Sequence, residues 1–223
     1  MFGIYAGSNL PCRTDIWNSP ASDQSDPFYH HFPVRYKPDR FWNDCKYDLY
    51  RIYGETKISV INRIRFSTEV KYIYYFRQCQ YWYGKNKLIW AYYRFRLARN
   101  SAKSHIQIPW MTKIGRGFYI SHTGRVIINP RAVIGENCNI ATGVTVGMEN
   151  RGRRKGSPTI GNKVWIGSNV VIVGNITIGD DVLIAPNAYV NFNIPSHSIV
   201  VGNPARIISR DNATADYINR IVE

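Results

Sequence analysis

Five histidines are the side chains of this 223-residue chain that titrate near neutral pH without help from their surroundings. His30 and His31 are adjacent, poor geometry for two ligands of one metal, and read as solvated. His105 and His197 stand near the two ends of a long stretch of repeats and read as structural or solvated. His122 alone lies inside that stretch. A ring held there with its edge in solvent can take a proton from an attacking hydroxyl, the work of a general base. A lone histidine is more often structural, so its surroundings must decide. A zinc site needs three histidines converging on one ion, and the repeats hold one, so no metal is expected. The basic run Arg151-Gly-Arg-Arg-Lys155 reads equally as a contact for an anion and as a solvated charge run. Cys12, Cys45, Cys79 and Cys138 have no paired or metal-like spacing; Cys138 is expected in the core, and a reducing cytoplasm fits.

The element that must position His122 is a beat of six. Ile or Val returns at Ile108, Ile114, Ile120 and Val126, again at Ile134, Ile140 and Val146, and then unbroken at Ile160, Ile166, Ile172, Ile178, Ile184 and Val190. Gly, Ala or Ser often follows, as at Gly115, Ser121, Ala141 and Gly167. A period of six is neither helical nor simply alternating, and it signals a stacked solenoid. Each hexad supplies one short strand with the β-branched residue inward and a small residue at the corner. Three hexads close a coil of 18 residues, and coils stack by parallel pairing. As the third residue of its hexad, His122 points outward. The beat breaks twice: eight positions separate Val126 from Ile134, and fourteen separate Val146 from Ile160. The second break predicts a loop within Met148–Pro158, the kind of projection that carries function on a rigid frame.

This reading divides the chain into an irregular extension at 1–40, an α-helical domain at 41–101, a β-helix at 102–210 and a short C-terminal helix within 211–223. The helical domain shows segments at Trp42–Tyr53, about 57–66, Val70–Trp82 and Leu88–Arg99. Net charge is +14, of which residues 41–100 carry +8, with twelve basic groups against four acidic ones. Such a balance suits an anionic partner, although no nucleic-acid reading motif is present. In the helical domain Tyr72, Tyr75, Cys79 and Trp82 share one face. Two readings stand: a cap on the solenoid, or a surface resting on anionic lipid at the inner face of the membrane. No run of eighteen apolar residues and no secretion leader is found, so a cytoplasmic location is expected.

Ile-Gly-Arg-Gly at 114–117, His122, Ile-Gly-Glu-Asn-Cys-Asn-Ile at 134–140, Val-Trp-Ile-Gly at 164–167 and Gly-Asn-Pro-Ala-Arg at 202–206 resemble the hexapeptide-repeat acyltransferases. Among these the motifs are most similar to the serine acetyltransferase branch, over roughly residues 42 to 210. The resemblance implies a mainly β fold: a left-handed parallel β-helix behind an N-terminal α-helical domain. It also implies a homotrimer with active sites between protomers, and acetyl-CoA as donor. It makes His122 the base and puts Gln107 where the branch carries an aspartate that orients the ring. It lays the pantetheine arm against Gly147, Gly167, Ser168 and Ala185, with Trp165 walling the groove or packing between protomers. Arg206 and Lys155 then meet the donor's phosphates. Ser121, Arg154 and Ser157 form the acceptor side, Arg154 also within reach of those phosphates.

The departures from the branch fall on the acceptor. Gln107 replaces a carboxylate, Ser121 replaces an acidic residue, Gly156-Ser157 replaces an Arg-His pair, and an Asp-Pro of the helical domain has no counterpart. The expectation is therefore an O-acetyltransferase acting on a sugar hydroxyl, in capsule, exopolysaccharide or lipid-linked saccharide synthesis. Two alternatives stand beside it: a serine O-acetyltransferase of cysteine biosynthesis with a remodelled pocket, and a trimeric scaffold whose catalysis has lapsed.

Overall fold

The computed structural model of the chain describes residues 38–55 and 66–222. Of the extension expected at 1–40, only the last three residues fall in that range, and they already belong to a helix. The helix expected at about 57–66 lies outside the described residues but for its final one.

Among the described residues three helices precede fifteen short strands: α1 (Pro38–Tyr53), α2 (Thr68–Trp82) and α3 (Lys87–Ser104). α1 ends at Gly54, whose φ of +77° suits a residue without Cβ and whose N–H bonds back to the Tyr50 carbonyl at 2.8 Å. α3 opens on Asn86, whose side chain accepts from the Leu88 and Ile89 N–H groups. It runs past the expected end at Arg99 and closes on His105, which takes the left-handed conformation.

The strands wind into a triangular parallel solenoid of about five coils. Face 1 stacks β1 (Ile106–Gln107), β4 (Val126–Ile128), β7 (Thr145–Gly147), β10 (Val171–Val173) and β13 (Tyr189–Val190). Face 2 stacks β2 (Lys113–Ile114), β5 (Val133–Ile134), β8 (Thr159–Ile160) and β11 (Thr177–Ile178). Face 3 stacks β3 (Tyr119–Ile120), β6 (Asn139–Ile140), β9 (Val164–Ile166), β12 (Val182–Ile184) and β14 (Ser198–Val201), and ends in β15 (Arg206–Ser209), which pairs antiparallel with β14. All the residues on the beat are buried, as are residues two positions earlier such as Phe118, Cys138, Val144 and Val182. The corner between faces 2 and 3 is built on glycine because the coils touch there. A Cβ on Gly115 would lie 2.6 Å from the Gly135 carbonyl carbon, and one on Gly135 would lie 2.5 Å from the Gly161 oxygen.

Where the beat is unbroken, strands pair eighteen positions apart, as Thr159 with Thr177 and Trp165 with Leu183. Across the loop the offset is twenty-six (Thr145 with Val171), so eight extra residues leave the coil without disturbing the stack. The first break lies elsewhere than expected. Tyr119 pairs with Asn139, twenty positions on, whereas Ile128 pairs with Val146 at eighteen. The two extra residues therefore sit between Ile120 and Val126, in the turn that holds His122, and Ile128 rather than Val126 keeps the beat. Both are β-branched and both are buried, because alternate strand residues share a face, so a period of six does not separate them.

The expected helix from about Ala213 to Val222 does not form. Asn212, Asp216 and Arg220 take φ of +53°, +66° and +53°, outside the helical range. Side chains of the coils capture this tail instead. The Asp181 carboxylate accepts from the Ala213 and Thr214 N–H groups at 3.0 Å each and from the Thr214 hydroxyl at 2.6 Å. Asn137 exchanges two hydrogen bonds of 2.9 Å with Val222, and Asn139 donates to the Tyr217 carbonyl at 3.2 Å.

The aromatic face of α2 packs onto the first coil. Tyr72, Ile73, Tyr75, Phe76 and Cys79 are buried in one core with the solenoid aliphatics. The Tyr72 hydroxyl donates to the Ile108 carbonyl and accepts from the Ile108 N–H, both at 2.9 Å. Arg77 is buried: it pairs with Asp48 at 2.8 Å and donates to the Ile114 and Gly115 carbonyls at 2.8 and 2.6 Å. Asp48 in turn accepts from the Phe118 N–H at 2.8 Å. Tyr72, Tyr75 and Cys79 of that face are spent on the solenoid, as the cap reading expects. Among the described residues no helix is long and apolar enough to cross a membrane.

Candidate functional site

His122 follows β3 at the edge where face 3 turns into face 1, and the two residues inserted there push the turn outward. The ring is exposed and makes no hydrogen bond among the described residues. The turn itself is held: the Ser121 N–H donates to the Ile140 carbonyl at 3.1 Å, and the Gly124 N–H to the Ser104 carbonyl at 3.2 Å. A fixed backbone with a free imidazole suits proton transfer.

The same edge carries Gly167 and Ser168 two coils on, Ala185 one coil further, and the 202–205 turn that leads to Arg206 at the end of the stack. Arg206 opens β15, five strands beyond β3, so with strands about 4.8 Å apart His122 and Arg206 are separated by roughly 24 Å along this edge. Gly167 is small because of the next coil, since a Cβ there would lie 2.7 Å from the Pro186 nitrogen. The Gly167 and Ala185 N–H groups are committed to the ladder, donating to the Ile184 and Val200 carbonyls at 2.9 and 2.8 Å. A ligand lying here meets a shallow, small-residue track and the exposed Arg206 guanidinium.

Gly147, Arg154, Lys155 and Ser157 occupy the opposite border of face 1, where it turns into face 2. The expected single groove running from Gly147 to Ala185 is thus two edges of one prism. Gly147 ends a face 1 strand and Gly167 follows a face 3 strand, which turns them to different corners. The loop folds back on itself: Glu149 and Gly156 exchange backbone hydrogen bonds of 3.0 Å, and Arg154 pairs with Glu149 at 3.3 Å. Lys155 is exposed, and the Ser157 hydroxyl donates to Asn129 Oδ1 at 3.1 Å. Beneath the loop a cleft of about 860 Å³ is lined by Arg151, Arg153, Arg154, Asn175, Phe192 and Asn193.

Two expected residues fall away from His122. Trp165 lies mid-strand on face 3, its ring 5.0 Å from that of Tyr217 in the chain's own tail. Gln107 is exposed on face 1, and its amide makes no hydrogen bond among the described residues, with the His122 ring or otherwise.

A carboxylate does approach the His122 turn, from the helical domain. The Thr123 hydroxyl donates to Glu69 Oε2 at 2.6 Å. Burial pushes the Glu69 carboxyl up, but hydrogen bonds from Ser67, Thr123 and its own backbone N–H, with the nearby His122 ring, outweigh this and hold it below the ordinary range. Glu69 stands in the first turn of α2, where an acid also complements the helix N-terminus. No spacing in the sequence links it to a histidine more than fifty residues away, so reading along the chain missed it.

Residues 157–191 match the model for the bacterial transferase hexapeptide, in six repeats. The chain is 40% identical over 106 residues to a serine acetyltransferase of Helicobacter pylori, a match covering 48% of this chain and 62% of that one. Other serine acetyltransferases match over about half of their own length. Among solved structures, a serine O-acetyltransferase of Brucella melitensis is 25% identical with a TM-score of 0.62, covering 78% of this chain and 69% of that one. Serine acetyltransferase isoform 3 of Entamoeba histolytica, in complex with cysteine, is 29% identical with a TM-score of 0.56, covering 77% and 62%. The chain carries the hexapeptide transferase repeat, and the likeness to the serine acetyltransferase branch holds in sequence and in fold. The expectation of a sugar acceptor is overturned. The departures at Gln107, Ser121 and Gly156-Ser157 were weighed as loss of a serine pocket, yet these relatives are serine acetyltransferases.

Proposed function

We propose that the chain is a serine O-acetyltransferase: it transfers acetyl from acetyl-CoA to the serine hydroxyl, with His122 as general base. The reading rests on one juxtaposition, an exposed imidazole on a rigid edge of a solenoid whose relatives carry that name. His122 takes the hydroxyl proton as the serine oxygen attacks the thioester carbonyl. The tetrahedral intermediate collapses, the C–S bond breaks, and the imidazolium returns the proton to the departing thiolate. Acetyl-CoA lies along the His122 edge against Gly167, Ser168 and Ala185, with Arg206 toward its phosphates.

The loop edge, with Gly147, Arg154, Lys155 and Ser157, is distant from His122 within one protomer. In a homotrimer, the assembly general to hexapeptide acyltransferases, a neighbour's loop closes over the His122 edge and completes the site. Solenoid and helical domain act as one unit, the helices seated on the coil that bears the base. The test is thiol release from acetyl-CoA with serine as acceptor. His122→Ala should lower turnover by about 10² to 10⁴ while the variant stays folded and keeps its CoA binding. Wild-type rates in the variant, or no transfer to serine by the wild-type chain, would overturn the proposal.

A further inference from the structure

We infer that Glu69 is the electrostatic partner of His122: a positioning residue, supplied by the helical domain, that does for the ring what no carboxylate at position 107 can do. The inference rests on the proposed role of His122 as base.

A base that gains a proton in the transition state is helped by a fixed negative charge close by, which favours the imidazolium as it forms. The coil itself offers none. Gln107 is neutral and its side chain makes no hydrogen bond among the described residues, and Ser121 is a hydroxyl. Arg125, the other charged residue of this turn, carries the wrong sign and is exposed. Glu69 is held in place from both sides. Thr123, bonded covalently to His122 in the chain, fixes one carboxylate oxygen, and α2 is anchored to the first coil through Tyr72 and Arg77. The titratable groups that the carboxylate faces are Tyr53 and His122. A helix N-terminus alone accounts for an acid at this position. It does not account for a hydrogen bond to the residue beside the base.

The test uses the full-length chain with Glu69→Gln, which keeps size and hydrogen bonding but removes the charge, and with Glu69→Asp and Thr123→Val. With serine and acetyl-CoA varied, Glu69→Gln should lower kcat about tenfold, less than the roughly 10² to 10⁴ expected on loss of the base itself, because the imidazole that takes the proton remains. KM for serine should stay within about twofold, and the acid limb of the kcat/KM profile should move to lower pH. Glu69→Asp should restore part of kcat, and Thr123→Val should lose part of it. An unchanged kcat in Glu69→Gln overturns the inference. So does a loss carried wholly by KM, which makes Glu69 a reader of the serine ammonium. Carbethoxylation of His122 by diethyl pyrocarbonate at slightly acidic pH, identified as the modification missing from His122→Ala, needs no turnover. It should be faster in Glu69→Gln, because the ring is less often protonated. Equal rates overturn the Glu69 inference even if serine is acetylated, whereas no transfer by the wild-type chain overturns the functional reading instead.

Discussion

Arg77→Met removes the charge that seats the helices on the first coil while keeping most of the side chain's bulk. In the wild-type chain the Arg77 guanidinium meets both Asp48 oxygens, at 2.8 and 3.3 Å, and the carbonyls of Ile114 and Gly115. Both members of the pair are out of water, at 1% and 0% exposure. Burial pushes the Asp48 carboxyl up, against Arg77 and the Phe118 N–H, so the arginine is what makes a carboxylate tolerable there. Removing one partner of such a pair costs about 3 to 5 kcal/mol, several times the worth of an exposed pair. For a chain of this size that lowers Tm by about 10 °C. Thermal unfolding followed by circular dichroism at fixed protein concentration measures it. The double variant Asp48→Leu/Arg77→Met should regain at least half of the loss, because no charge is left stranded. A single-variant loss below about 1 kcal/mol would refute the reasoning. Turnover should fall as well, since α2 carries Glu69 to the His122 turn.

Two further outcomes are expected. Asp181→Ala should free the tail from face 3, exposing Arg210 and Arg220 to limited trypsin digestion that the wild-type chain resists. Burial raises the Asp181 carboxyl, but bonds from Thr214, His197 and Ala213 outweigh it and hold it low. Its contribution to stability is therefore complete above the unfolded value of about 3.9 and is lost as pH falls through the lower folded value. Wild-type protein should lose the hydrogen-exchange protection of the Ala213 and Thr214 amides only as pH falls through that value. Cys45, Cys79 and Cys138 are buried, and burial pushes the Cys79 and Cys138 thiols up to about 12. A thiol titration of the native protein should detect no more than one of the four cysteines, and all four in urea.

The solenoid was legible in the chain because stacking imposes one rule at every side: a β-branched residue inward and a small one where the coils touch. Ile160 to Val190 obey it without a break, and the loop at 148–158 announced itself by its length. The position of the first break was hidden, because Val126 and Ile128 satisfy the same rule and only strand pairing distinguishes them. The tail looked helical by composition, yet Asp181, Asn137 and Asn139 draw its backbone groups away from one another. The exposed position of His122 could be read from the repeat around it, and its role as base is the proposal built on that position. The acceptor could not be. Gln107, Ser121 and Ser157 were judged as if each charge had to be replaced at its own place in the chain, whereas charge acts through space. Glu69 reaches the His122 turn only because Arg77 and Tyr72 fold α2 over the first coil, and the division of the remaining site residues between two edges follows from which face each strand ends. Local pattern decided the frame, and long-range packing decided which side chains meet on it.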